Sequence, residues 1–164
     1  MDKQPASLYK VRFNDCDLFG HLNNSRYLDY FLNAREDHLN AAYNFDLNQF
    51  YNQGLGWVVA SHDIKYIRPA AYQETVLVQS SLLSAKENSL LVEMLMLDNN
   101  KTHLKAALWT QFVPVNIKTG KRENHPGSFM EFVQSIERKD VAEWDNPPAR
   151  LQNILAAIKE KKAP

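Results

Sequence analysis

The sequence predicts an α+β domain in which a five-stranded antiparallel sheet curls around one long helix inserted after the first strand. Three observations predict it. From Asn23 and Asn24 to about Tyr43, the polar residues Asp29, Asn33, Glu36, Asn40 and Asn44 recur at spacings of three and four. They form one narrow stripe on a helix otherwise rich in Tyr, Phe, Leu and Ala, including Tyr27, Tyr30, Phe31 and Leu39. After that helix come long β-branched and aromatic runs, which supply a sheet to cover it. Two of those runs are separated only by Asp98-Asn99-Asn100-Lys101, residues that tolerate the positive φ of a tight hairpin.

Taken in order, Leu8 to Phe13 reads as the first strand, with Tyr9, Val11 and Phe13 alternating against Lys10 and Arg12. The long helix follows a loop containing Gly20. Trp57 to Arg68 is the second strand, stopped by Pro69. Thr75 to Ser84, Ser89 to Leu97 and Thr102 to Val115 complete an antiparallel meander. Thr119-Gly120 marks a turn, so residues 1–120 are expected to form the sheet-and-helix domain. Residues 121–164 are expected to form a helical extension packed on that domain or on a partner. In the extension, Ser128 with Glu131 reads as a capping box, and Asn146-Pro147-Pro148 opens a second one-sided helix.

The chain has 164 residues, enough for one domain that buries roughly 70% of its unfolded surface without staples. With 19 basic and 19 acidic residues the formal charge is zero, so no general field draws it to nucleic acid or to an anionic membrane. The single cysteine, Cys16, cannot close an internal disulfide, and no run approaches the ~20 apolar residues of a spanning helix. These features predict a cytoplasmic protein with neither nucleic-acid nor membrane partners.

The chemistry-bearing stretch is Val11 to Arg35. A carboxylate a few residues before a helix start faces the unpaired N–H groups and positive dipole end that stabilise developing negative charge. The run D-x-x-x-H-x-N-N-x-x-Y, here Asp17, His21, Asn23, Asn24 and Tyr27, resembles the signature of acyl-CoA thioesterases of the 4-hydroxybenzoyl-CoA thioesterase group, in the hotdog superfamily. The likeness is greatest to the bacterial branch acting on fatty acyl-CoA, because Arg26, Tyr27 and Leu28 follow the asparagines as they do there. The order of elements carries it to about Gly120.

The resemblance implies a hotdog fold, hydrolysis of fatty or aromatic acyl-CoA without a cofactor, and a homodimer or homotetramer with the pocket at the subunit boundary. By position it implies that Asp17 is the catalytic carboxylate, as nucleophile or general base, and that the Asn24 backbone N–H polarises the carbonyl. His21, Asn23 and Tyr27 would shape the pocket. Arg68 and Lys86 are candidates for the CoA phosphates, and the acyl group would lie near Tyr27, Tyr30 and Phe31. A neighbouring branch with D-x-x-G-x-x-x-H has histidine where this chain has Asn24, so a histidine-assisted mechanism does not transfer.

Each residue also has an ordinary structural reading. Asp15 and Asp17 suit a turn, His21 a structural histidine, Asn23 or Asn24 a helix cap, and Tyr27 the core. Asp15, Asp17 and His21 could be taken as a facial metal set, but nothing completes that signature, so no metal is expected. Cys16 is flanked by carboxylates that disfavour its thiolate and is given no role. The competing function is a non-catalytic acyl-thioester sensor, which would not need Asp17. A hydroxyacyl dehydratase would need a histidine-and-acid pattern that is missing.

Overall fold

The computed structural model describes residues 1–161. Five strands form one sheet: β1 (Ala6–Lys10), β2 (Leu55–Tyr66), β3 (Thr75–Lys86), β4 (Ser89–Asp98) and β5 (Leu104–Asn116). Their spatial order is β1-β3-β4-β5-β2, with every neighbouring pair antiparallel. Helix α1 (Tyr27–Tyr43) follows β1 and is preceded by a 3-10 turn, Asn24–Arg26, so helical structure is continuous from Asn24 to Tyr43. Short α2 (Asn48–Tyr51) precedes β2, and α3 (Gly127–Ile136) and α4 (Pro147–Glu160) end the chain. This is the hotdog arrangement.

The inner face of the sheet packs on α1. Val76, Val78, Val92, Met94, Met96, Ala106 and Leu108 meet Tyr27, Phe31 and Ala34 in one core cluster. The predicted polar stripe of α1 does face solvent. The helix is buried on one broad face and not around most of its circumference, because Ala41 and Ala42 are exposed, where small side chains lose little by facing water. Its end is set by Asn44 in the left-handed conformation, φ 50°, a state asparagine tolerates.

Two local expectations are corrected, and the hairpin turn forms as read. The first strand stops at Lys10: the chain then turns through a 3-10 segment, Phe13–Asp15, and leaves Phe13 78% exposed instead of strand-paired. The Asp98–Lys101 turn carries its positive φ as read, on Lys101 at 58°. Ser128 caps nothing, since α3 begins at Gly127 after Pro126 and shows no side-chain cap. The second helix start behaves as read, with Pro147 and Pro148 in its first turn and the Asn146 side chain accepting from the Ala149 N–H.

The extension closes both sides of the sheet. A bulge in β3 between Leu82 and Ser84 leaves ladder groups free, and the segment after α3 fills them. The Arg138 N–H donates to the Leu82 carbonyl at 2.8 Å, and the Glu137 carboxylate accepts from the Ala85 N–H at 2.8 Å. On the outer face, Leu77, Leu95, Leu97, Leu104 and Trp109 cluster with Val141 and with Ile154 of α4. There buried Glu93 accepts two bonds from Arg150 at 2.8 Å and one from Trp109 Nε1 at 3.0 Å.

Candidate active site

The loop between β1 and α1 is a tight turn held by its own backbone. Gly20, at φ 73° where a side chain would strain, donates to the Asp17 carbonyl at 3.1 Å, and the Asp17 N–H donates to the His21 carbonyl at 2.8 Å. The Leu22 N–H then bonds the Ala70 carbonyl and the Asn23 N–H bonds the Asp15 carbonyl, each at 2.8 Å, which anchors the loop on the segment after β2.

The two acids diverge within this loop. Asp15 is engaged: the Tyr30 hydroxyl donates to it at 2.8 Å, and Arg26 lies 3.9 Å away. Partial burial, then the bond to Asp15, pushes the Tyr30 hydroxyl up to about 12. Asp17 is exposed, and only Oδ1 is held, by the Phe19 N–H at 2.9 Å and the His21 N–H at 3.3 Å. Its carboxylate is therefore oriented by backbone while one oxygen has no hydrogen bond or ion pair among the described residues. Between them, Cys16 has its thiol pushed up, first by burial and then by Asp15 and Asp17, so it is a poor nucleophile.

Asp17, His21, Asn24, Tyr27 and Arg68 line one open cleft of about 260 Å³, so five of the seven expected residues come together. Asn24 opens the 3-10 turn, the position where a helix leaves its N–H without an intrahelical acceptor. Asn23 caps that turn, its side chain accepting from the Ser25 N–H at 3.0 Å, and faces the adjoining cleft beside Asp17 and Tyr72. Tyr27 is buried, and its hydroxyl accepts from the Ala70 N–H at 3.2 Å.

Lys86 is elsewhere. It sits at the end of β3 opposite the Asp17 loop, roughly 35 Å along the strand at about 3.3 Å per residue, and lies 5.3 Å over the Trp144 ring. Tyr30 and Phe31 do not line the cleft either. Tyr30 is turned to Asp15, and Phe31 is fully buried in the core.

Sequence reasoning missed Tyr66. Its hydroxyl donates to the Asn24 carbonyl at 2.9 Å and its ring meets Tyr27 edge-on at 5.1 Å, so the end of β2 fixes the helix start. Period-two alternation along β2 was the available signal, but the bulge between Val59 and Ser61 breaks its phase. Among the described residues, no three His, Cys, Asp or Glu side chains gather as a metal site.

The hotdog scaffold thus holds a carboxylate by backbone N–H groups beside a helix start. Residues 11–144 match the model of the thioesterase-like superfamily, and the chain belongs to that family. It is 30% identical over 128 residues to the long-chain acyl-CoA thioesterase FadM of Escherichia coli K12, covering 77% of this chain and 95% of that one. The solved structure of YbaW, a probable thioesterase from E. coli, superposes with a TM-score of 0.71 at 26% identity, over 81% of this chain and 98% of that one. A DHNA-CoA thioesterase from Staphylococcus aureus shares the fold alone, with a TM-score of 0.73 at 17% identity over 80% of this chain and 89% of that one. Among the described residues no helix is long and apolar enough to cross a membrane.

Proposed function

We propose that this chain hydrolyses fatty or aromatic acyl-CoA to the free acid and CoA, with Asp17 as nucleophile or general base. The observation that carries the reading is the convergence of Asp17 and the start of the helical segment at Asn24 on one cleft. A thioester's leaving thiol has a pKa near 8.5, so departure as thiolate needs little help. What the reaction needs is a nucleophile and a place for the oxyanion. Asp17 takes a proton from water as water attacks the carbonyl carbon, or attacks that carbon itself to give an anhydride that water then opens. The carbonyl oxygen, now negative, receives the Asn24 N–H and the positive end of the helix, and collapse of the tetrahedral centre expels the thiolate.

Arg68, at the cleft rim, is suited to a CoA phosphate. Lys86 does not reach the same cleft within one protomer and serves this role only if a second protomer brings it there. A second copy of the chain is accommodated along β2. That edge strand is unpaired on one side and exposes Val58 and Val59, with Ile67 just beyond it.

Thiol release from a series of acyl-CoA esters, from acetyl to oleoyl and including benzoyl, tests the reading. Turnover of at least one member is expected. Binding of acyl-CoA with no thiol released would replace the enzyme with a sensor.

A further inference from the structure

A second cavity, of about 220 Å³, lies on the far half of α1, and it is built of different residues from the Asp17 cleft. Its walls are almost wholly apolar and aromatic, with Phe45, Trp57, Phe129 and Phe132 among them. Phe45 and Phe132 stack with ring centres 4.6 Å apart. Into this lining α1 brings Arg35, whose side chain is buried, with 8% of the residue exposed.

A guanidinium carries five N–H donors and a fixed charge. Among the described residues Arg35 meets neutral hydroxyls: Nη1 donates to Ser80 Oγ at 3.2 Å, and the Tyr43 hydroxyl is its other neighbour. No carboxylate among the described residues pairs with it. Glu36 lines the same cavity but belongs to the solvent-facing stripe of α1 and makes no ion pair with it. His38, one turn along and bonded to the same Ser80 hydroxyl at 2.8 Å, is held neutral by burial. A buried cation without a counter-charge is costly, and hydrated anions do not suit an aromatic box. An anion with an apolar body satisfies both demands.

We infer that this cavity binds a carboxylate carried on an aliphatic chain, its carboxylate on Arg35 and its chain among Phe45, Phe129 and Phe132. Two sources supply that chemistry. One is a free medium-chain acid bound apart from the Asp17 cleft. The other is the far-end carboxylate of a dicarboxylic acyl thioester. Arg35 stands about 16 Å along α1 from Asn24 at a rise of 1.5 Å per residue, so the second source needs an acyl chain of roughly a dozen carbons with bonds of about 1.5 Å.

The test is equilibrium binding to the whole protein, which stands or falls independently of hydrolysis at Asp17. Trp57 is the one tryptophan lining the cavity, so its fluorescence reports occupancy alongside calorimetry. Octanoate is expected to bind at least tenfold more tightly than octanol, and octylammonium not at all. Arg35→Met is expected to lower octanoate to the octanol level with octanol unchanged, whereas Arg35→Lys retains the preference. Equal affinity for octanoate, octanol and octylammonium in the unmodified protein would overturn the inference without any variant. So would an octanoate affinity that Arg35→Met leaves intact. To separate the sources, dodecanedioyl-CoA is compared with dodecanoyl-CoA. Octanoate raising KM for the first alone assigns the carboxylate to the substrate's far end, and octanoate binding with neither KM changed assigns it to a separate acid.

Discussion

At the scale of single residues, the site depends on a division of labour that residue type alone does not reveal. Asp15 and Asp17 stand two positions apart, yet one is consumed by Tyr30 and Arg26 while the other is aimed by two backbone N–H groups. The partner group is a backbone N–H, which most substitutions leave in place. Proline removes it. Asn24 is the first residue of its turn, where proline is well accepted, and Asn23 before it is already extended at φ −62° and ψ 137°, as a residue preceding proline must be. Asn24→Pro is therefore expected to keep the fold, read by circular dichroism and Tm, while kcat for thiol release falls by about 10²–10³. A second residue-scale consequence concerns His38. Burial, and then the charge of Arg35, lowers its ring to about 4 from an ordinary 6.5, and its Nε2 is buried without a partner. The unfolded chain thus takes up a proton more readily than the native one, so the stability tied to neutral His38 is full above pH 6.5 and is lost as pH falls toward 4. The shift corresponds to about 3 kcal/mol across that window. Urea unfolding at pH 7 and pH 4.5 should show a steeper loss in the native sequence than in His38→Gln.

At the scale of elements, the strands, the long helix and the Asn-Pro-Pro helix start were legible because their signals are local. Periodicity, turn residues and proline act within a few positions. The failures share the opposite cause. Phe13 continued an alternation, but the chain leaves the sheet at Lys10 to build the turn that presents Asp17. Arg35 and His38 read as neither core nor stripe, because what admits them to the interior is Ser80, across on β3. Within the candidate site, the motif spacing predicted which residues share the loop, and Asp17, His21, Asn24 and Tyr27 do line one cleft. Tyr66 and the remoteness of Lys86 depend on strand register and bulges, which spacing does not encode. The outer face gives an element-scale prediction. Arg150 of α4 is the charge partner of buried Glu93, and removing one member of such a pair strands the other. Arg150→Ala is expected to cost about 3 kcal/mol in chemical denaturation, and the double change Glu93→Leu with Arg150→Leu to recover most of it.

At the scale of the whole molecule, the two faces of the sheet are treated differently. On the outer face, α4 packs through Ile154 on the Leu77, Leu95, Leu97 and Trp109 cluster. The β2 edge remains open. Assembly through that edge predicts a two-chain mass by light scattering, with Val59→Lys shifting the protein toward one chain. It would also set the two Asp17 clefts, each lined by Tyr66 and Arg68 at the end of β2, beside the junction between the sheets. Hydrolysis itself turns on one carboxylate in the proposed reaction. The most direct measurement is kcat for the preferred acyl-CoA in Asp17→Asn beside the unmodified protein, at matched Tm and with acyl-CoA binding measured separately. We expect kcat to fall at least about 100-fold while binding and Tm are unchanged. Hydrolysis at the unmodified rate in Asp17→Asn would rule out Asp17 as nucleophile or general base.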